Sequence, residues 1–291
     1  MQVVYHLGAH CTDDDRLVRS LGRNRTAFAE EGILVPAPRR YRQVMREVRL
    51  SLRGRESTDE IQEALLDAII EEDRAKRLIL SHELFLSAPN HAVTGEGFYA
   101  MLGRRLKALA NIFPSAECEF HLALRNPATL IPALVARHPE FAYEGMMGGQ
   151  DPTDLRWRPT IENAIETNPG VKLVLWCNED TPFIWTDIMR RISGVGSEFP
   201  LQGELDLLST LVTEEGLEKL GSALGGDSRP GADERHQIIA ATLEEHARPD
   251  ALEMEIELPD WTTEMVETIT LNYEADIAAI AAMPGVELVA P

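Results

Sequence analysis

The chain is poor in cysteine, in long apolar runs and in positive charge, and each shortage excludes a class of protein. Three cysteines, Cys11, Cys118 and Cys177, stand far apart among 291 residues. They make no disulfide framework and suit a reducing compartment, so the cytoplasm is the expected location. No apolar run approaches the roughly 20 residues that span a bilayer, so no membrane segment is expected. The N-terminus turns polar soon after Tyr5, too early for the apolar core of a signal peptide. Lys and Arg total 28 against 48 Asp and Glu, a formal charge of −20. Such a surface repels phosphate backbones, which excludes general nucleic-acid binding. Internal repeats and low-complexity tracts are also missing.

What is present reads as globular. At 44% hydrophobic and 26% charged, the chain can bury one large core, or one core with an appendage. Short apolar runs mark strands at residues 2–7, 77–81, 119–124 and 171–176. Helical periodicity follows each of them. A helix from Asp13 or Asp14 as N-cap runs to about Glu30, with Gly32 at its C′ position. Further helices cover Tyr41–Leu52, a segment opened by the capping box Ser57–Glu60, Gly97–Phe113, the stretch up to Ala136, and Thr181–Ile192. Strand–helix alternation of this kind predicts a parallel sheet covered on both faces. After Ser193 the strand signal fades. Leu205–Leu224, Arg235–Glu245 and Thr262–Ala282 read as helices, and the Gly/Ser/Pro/Asp-rich Gly221–Asp233 connection reads as mobile.

Polar residues gather where the predicted strands end. The first strand runs into His6-Leu7-Gly8-Ala9-His10-Cys11-Thr12-Asp13-Asp14-Asp15-Arg16, the strand–glycine-turn–helix layout of a phosphate cradle. A cradle calls for small residues, hydroxyls and a lysine, yet this one holds three aspartates. The second strand ends at Ser81-His82-Glu83 and the third at Arg125-Asn126-Pro127. Five or more arginines between Arg39 and Arg55 form a stripe that either binds an anion or serves as a solvated, acid-paired face.

Together these pieces resemble a sulfotransferase of the P-loop superfamily, in its divergent bacterial branch. The family loop Gly-x-x-Lys-Thr-Gly-Thr-Thr matches Gly8 to Asp15, followed by Leu17 and the Asn24-Arg25 pair. Leu80-Ser81-His82-Glu83-Leu84-Phe85 resembles the second strand with its Ser-x-Glu ending. Leu124-Arg125-Asn126-Pro127 resembles the third, and Tyr273, Asp276-Ile277 and Met283-Pro284-Gly285-Val286 resemble the close of the chain. The resemblance implies a P-loop-type three-layer α/β/α fold with a mainly parallel central sheet and a helical C-terminal part. Residues 1–196 would form the core, and residues 197–291 a mainly helical region packed on it.

The family transfers sulfonate from 3′-phosphoadenosine 5′-phosphosulfate (PAPS) to a hydroxyl or amine of a small-molecule or glycan acceptor. By resemblance, Gly8, His10, Thr12 and Arg125 would hold the donor, and Glu83 with His82 would supply the base. The departures fall on the chemistry. Cys11 replaces the lysine, Asp13 the glycine, Asp14 and Asp15 the hydroxyls, and Ala133 a serine that helps hold the 3′-phosphate. A carboxylate about 4 Å from a phosphate costs about 1 kcal/mol in water and several in a partly dehydrated loop. Asp13 also brings a Cβ to a position expected to need positive φ. The aspartates suit the helix dipole in place of a ligand's phosphate.

The reading is a sulfotransferase-like relative without standard donor chemistry and with no confident cofactor. Two alternatives stay open: an active divergent enzyme drawing charge from Arg39–Arg55, and a metal-assisted enzyme using Asp13–Asp15. No metal site is assigned, because the spacing of His6, His10, Cys11 and the aspartates fits no ligand pattern, and His6 is expected on the far side of the strand. His121 and the four tryptophans read as packing.

Overall fold

The computed structural model describes residues 1–71, 75–225, 230–252, 256 and 258–291. Its first half builds the centre of a sheet. Strand β1 (Gln2–His6) enters the polar loop and is followed by α1 (Arg16–Gly22), α2 (Arg25–Glu30), β2 (Ile33–Leu34), α3 (Pro38–Leu52), α4 (Asp59–Ile69) and β3 (Arg77–Ser81). A hairpin of β4 (Val93–Thr94) and β5 (Gly97–Phe98) precedes α5 (Leu102–Ala110), β6 (Glu117–Leu124), α6 (Pro127–Arg137), α7 (Tyr143–Met147) and α8 (Trp157–Thr167). Then come β7 (Lys172–Cys177), α9 (Thr181–Ser193), α10 (Leu208–Leu211), α11 (Glu214–Leu224), α12 (Ala232–His246), α13 (Pro249–Leu252), α14 (Thr263–Ala281) and β8 (Val286–Val289).

Six strands form one parallel sheet in the order β2-β3-β1-β6-β7-β8. Strand alternation gives each face its own core. Val3, Tyr5 and Leu7 point with Leu78, Leu80, Phe120 and Leu122 toward α3, α4, α5 and α8. Val4, Ile79, Ala123 and Trp176 point the other way, toward α1, Phe28 of α2 and Ile184–Ile192 of α9. The result is a three-layer α/β/α arrangement, as expected. A smaller cluster of Leu208, Val212, Leu220 and Ile239 holds α10, α11 and α12 together. Among the described residues, no helix is long and apolar enough to cross a membrane.

Several local expectations are corrected. The helix expected from Asp13 to Glu30 is two short ones, because buried Asn24 turns its side chain on residue 202. Its amide nitrogen donates to the Gln202 carbonyl at 3.0 Å, and its Oδ1 accepts from the Gln202 amide at 2.7 Å. Thr58, not Ser57, caps α4; Ser57 is buried and its hydroxyl donates to the Ile112 carbonyl at 2.7 Å. The helix expected from Gly97 begins at Leu102, since Gly97 and Phe98 pair with Val93 and Thr94. Strand β8 lies beyond Ser193, where no strand was expected, and pairs in parallel with β7. Of the Gly221–Asp233 connection, its two ends belong to α11 and α12, and residues 226–229 lie outside the described residues.

Candidate functional site

Strand β1 lies between β3 and β6, so the chain order reverses on either side of its C-terminal end. Open parallel sheets place their binding crevice at such a switch point. Three strand ends therefore bring the loop after β1, His82-Glu83 after β3 and Arg125 after β6 to one edge. The fold unites the residues that the sequence singled out.

The loop's backbone is strained. Gly8 has φ +53°, and Cys11, Asp14 and Asp15 have φ of 57°, 48° and 64°. A Cβ on Gly8 would meet the Glu83 Cα at an ordinary 3.8 Å, so the dihedral, not space, calls for glycine there. Asp13, expected in the left-handed region, is not; the strain falls on its neighbours. Each such non-glycine residue costs about 1 kcal/mol or more and persists only where the surroundings hold it.

Arginines hold it. Nη1 and Nη2 of Arg42 from α3 donate to the Asp15 carboxylate at 2.9 and 2.5 Å, while its Nε and Nη2 donate to the Ser81 carbonyl at 3.2 and 3.0 Å. That pair holds the Asp15 carboxyl below the usual carboxylate range. Arg137, from the last turn of α6, donates to Asp14 at 2.8 Å and to Glu83 at 3.2 Å. Arg125 donates to the Cys11 carbonyl, and to the Thr129 hydroxyl at 3.1 Å. Asp13 accepts the Leu17 amide at 3.0 Å and so caps α1, although the N-cap position itself is Asp15, which makes no side-chain cap bond. Arg42, Arg125 and Arg137 are each engaged by oxygens of the loop.

The remaining expected donor residues also face inward. His10 is 1% exposed, its Nδ1 2.7 Å from the Tyr99 hydroxyl and its Nε2 3.2 Å from the Ser87 carbonyl. The carbonyl can only accept, so Nε2 carries the proton and the Tyr99 hydroxyl donates to Nδ1. Burial pushes the His10 pKa down to about 4. The Thr12 hydroxyl donates to the Ala9 carbonyl at 2.7 Å. Burial raises the Cys11 thiol, against the pull of Arg137. A reactive thiolate is thereby disfavoured.

The candidate base is half-formed. Burial raises the Glu83 pKa while Arg137 lowers it, and the carboxylate makes its ion pair rather than capping the next turn. Burial and Arg42 push His82 down to about 4; its ring meets Phe85 edge-on and its Nδ1 is buried without a partner. His6, expected on the far side, instead borders the loop with Nδ1 2.9 Å from the Ser81 hydroxyl. The space enclosed by His6, the three aspartates, Arg42 and Glu83 is about 90 Å³, against about 300–1,000 Å³ for ligand sites. Among the described residues, no three His, Cys, Asp or Glu side chains are grouped to hold a metal ion.

Arg137 carries no motif and was not singled out in the sequence; only the three-dimensional path of α6 brings it to Asp14 and Glu83. Replacing it by alanine removes the cation that lowers Glu83. The Glu83 pKa is expected to rise further, read by carbon-detected NMR titration; an unchanged or lower value contradicts the ion pair. Stability should change by less than about 1 kcal/mol, as for exposed pairs.

Asn24 and Arg25, part of the family resemblance, serve the frame: Asn24 clamps residue 202, and Arg25 donates to the Val35 carbonyl at 3.2 Å. His121 is fully buried on Glu119 at 2.6 Å. Trp157, Trp176 and Trp185 are core residues, and Trp261 is partly buried.

These features define a three-layer α/β/α protein with a strand–loop–helix at the switch point of a parallel sheet. No family model matches the chain, and no curated protein matches it. Among solved structures, a sulfotransferase from Alicyclobacillus acidocaldarius aligns over 84% of this chain and 95% of that one, at 13% identity and a TM-score of 0.41.

Proposed function

We propose that the protein is a sulfotransferase-like relative that has given up donor chemistry and acts by binding. The observation that carries the reading is the occupation of the loop by its own charges: Asp15 on Arg42, and Asp14 and Glu83 on Arg137. A sulfonate donor needs backbone amides and free cations to offset its phosphosulfate and the charge developing on its leaving group. Here a donor would displace three ion pairs and face the three aspartates, with Cys11 where the neutralising lysine would be. The motif resemblance supports the ancestry, and the strand–loop–helix at the switch point supports an ancestral phosphate loop.

The active alternative asks the Arg39–Arg55 stripe to replace the lysine. Arg42 is the member that reaches the loop, and it is bound to Asp15 and Ser81; Arg40 pairs with Glu71 at 2.6 Å. Transfer of radiolabelled sulfonate from PAPS to a panel of hydroxyl, amine and glycan acceptors tests the choice. No transfer above the protein-free rate is expected. Turnover that disappears in Arg125→Ala would establish the active reading instead.

A further inference from the structure

A second cavity, of about 370 Å³, lies far along the chain from the loop, between α9, α11, α12 and the segment before α10. Its volume falls within the range of small-molecule sites. Phe183, Trp185, Leu205, Leu208, Leu224 and Ile239 give it a mainly apolar wall. The Trp185 indole nitrogen is already engaged, donating to the Gly203 carbonyl at 2.9 Å. Four charged residues line the space, and they neutralise one another: Arg235 pairs with Asp187 at 2.5 Å, and Arg190 with Glu204 at 3.5 Å. In a chain of net charge −20 this wall is electrically balanced, so it favours neither an anion nor a cation.

The wall includes a glycine. Gly221 sits inside α11, where glycine weakens a helix relative to alanine, and its φ is not positive. A Cβ built there would meet nothing within 4 Å. Two other helical glycines have a packing reason, whereas Gly22 of α1 and Gly145 of α7 share the open surroundings of Gly221. At Gly216 in the same helix a Cβ would lie 2.6 Å from the His246 Cβ, and at Gly103 it would lie 2.3 Å from the Thr167 hydroxyl. Among the described residues, neither backbone nor packing calls for glycine at exposed Gly221, and a larger side chain there would enter open space. Among the described residues, the buried Arg235 Nε has no hydrogen-bond partner and leaves a donor unused in the wall.

We propose that this cavity binds a neutral, mostly apolar small molecule carrying one hydrogen-bond acceptor. Shape and desolvation of the apolar wall supply the affinity, and the Arg235 N–H supplies orientation. The site is independent of the donor loop, so its failure would leave the reading of that loop untouched.

Fluorescence titration of the full chain with the neutral dye N-phenyl-1-naphthylamine tests it. Saturable one-to-one binding is expected, and Gly221→Leu, which fills the space, should weaken it by about tenfold or more while leaving the melting temperature unchanged or higher. Gly221→Ala, a smaller plug, should weaken binding less, and it keeps the test open should the leucine variant fail to fold. Absence of saturable binding, as from a cavity the chain itself fills, overturns the proposal. Equal affinity in the wild type and both variants overturns it too, by placing the dye elsewhere.

Discussion

At pH 5 the denaturant midpoint is expected to lie well below its value at pH 7.5, and His10 is the clearest single cause. Its ring is enclosed between Tyr99 and Ser87, and burial pushes its pKa down to about 4 from an ordinary 6.5, with Arg137, His138 and His82 pushing the same way and the Ser87 bond opposing. Below pH 6.5 the unfolded chain takes up a proton that the folded ring refuses until pH approaches 4. Stability therefore falls as pH drops through that window, and this group contributes no further change above it. The loss from His10 is about 2 kcal/mol at pH 5 and about 3 kcal/mol at pH 4. His82 and His121, both held at about 4, and His6, lowered by burial, act in the same direction. Urea melts at pH 7.5, 6 and 5, repeated on His10→Gln, check this. A flat midpoint in the wild type, or an undiminished slope in the variant, would contradict the burial argument.

The second large effect lies at the opposite end of the strands. Glu119 is 2% exposed and accepts from Arg77 at 2.8 Å, His121 at 2.6 Å and Arg191 at 3.2 Å. Burial alone would raise its pKa, but His121, Arg77 and Arg191 outweigh that and hold it at about 2. Glu119→Leu leaves the buried Arg77 guanidinium without its counter-charge. The expected cost is about 3–5 kcal/mol, the usual penalty for removing one partner of a buried pair. Adding Arg77→Met should recover much of it, because the uncompensated charge is then gone as well. Thermal and urea unfolding of the single and double variants measure both. A loss under about 1 kcal/mol for Glu119→Leu would mean that water already solvates the pair.

Much of the frame could be read from the chain. β1, β3, β6 and β7 are apolar runs buried on both faces, and such runs stand out wherever they occur. The strand ends follow from them, which is why the sequence locates Gly8, Glu83 and Arg125 at the ends of neighbouring strands. β8 escaped notice because an edge strand is only half-buried; Val286 and Val289 carry little pattern of their own. The break between α1 and α2 escaped for another reason. Asn24 is held by residue 202, a contact that no local periodicity carries.

The site was legible as a location and much less so as a set of directions. Which way His10 and Thr12 point depends on a left-handed residue at Cys11, and side-chain type does not announce that. The aspartates suggested a loop that caps itself, and Asp13 on the Leu17 amide agrees. Their arginine partners arrive from α3 and from the far end of α6, so only the folded chain shows that the charges are spent.

The central claim is that the loop's own carboxylates occupy the place of a donor's phosphates. Calorimetric titration of the unmodified protein with 3′-phosphoadenosine 5′-phosphate (PAP) tests it most directly. The account predicts no saturable heat, corresponding to a Kd weaker than about 1 mM. A micromolar Kd that is lost in Arg125→Ala would contradict it.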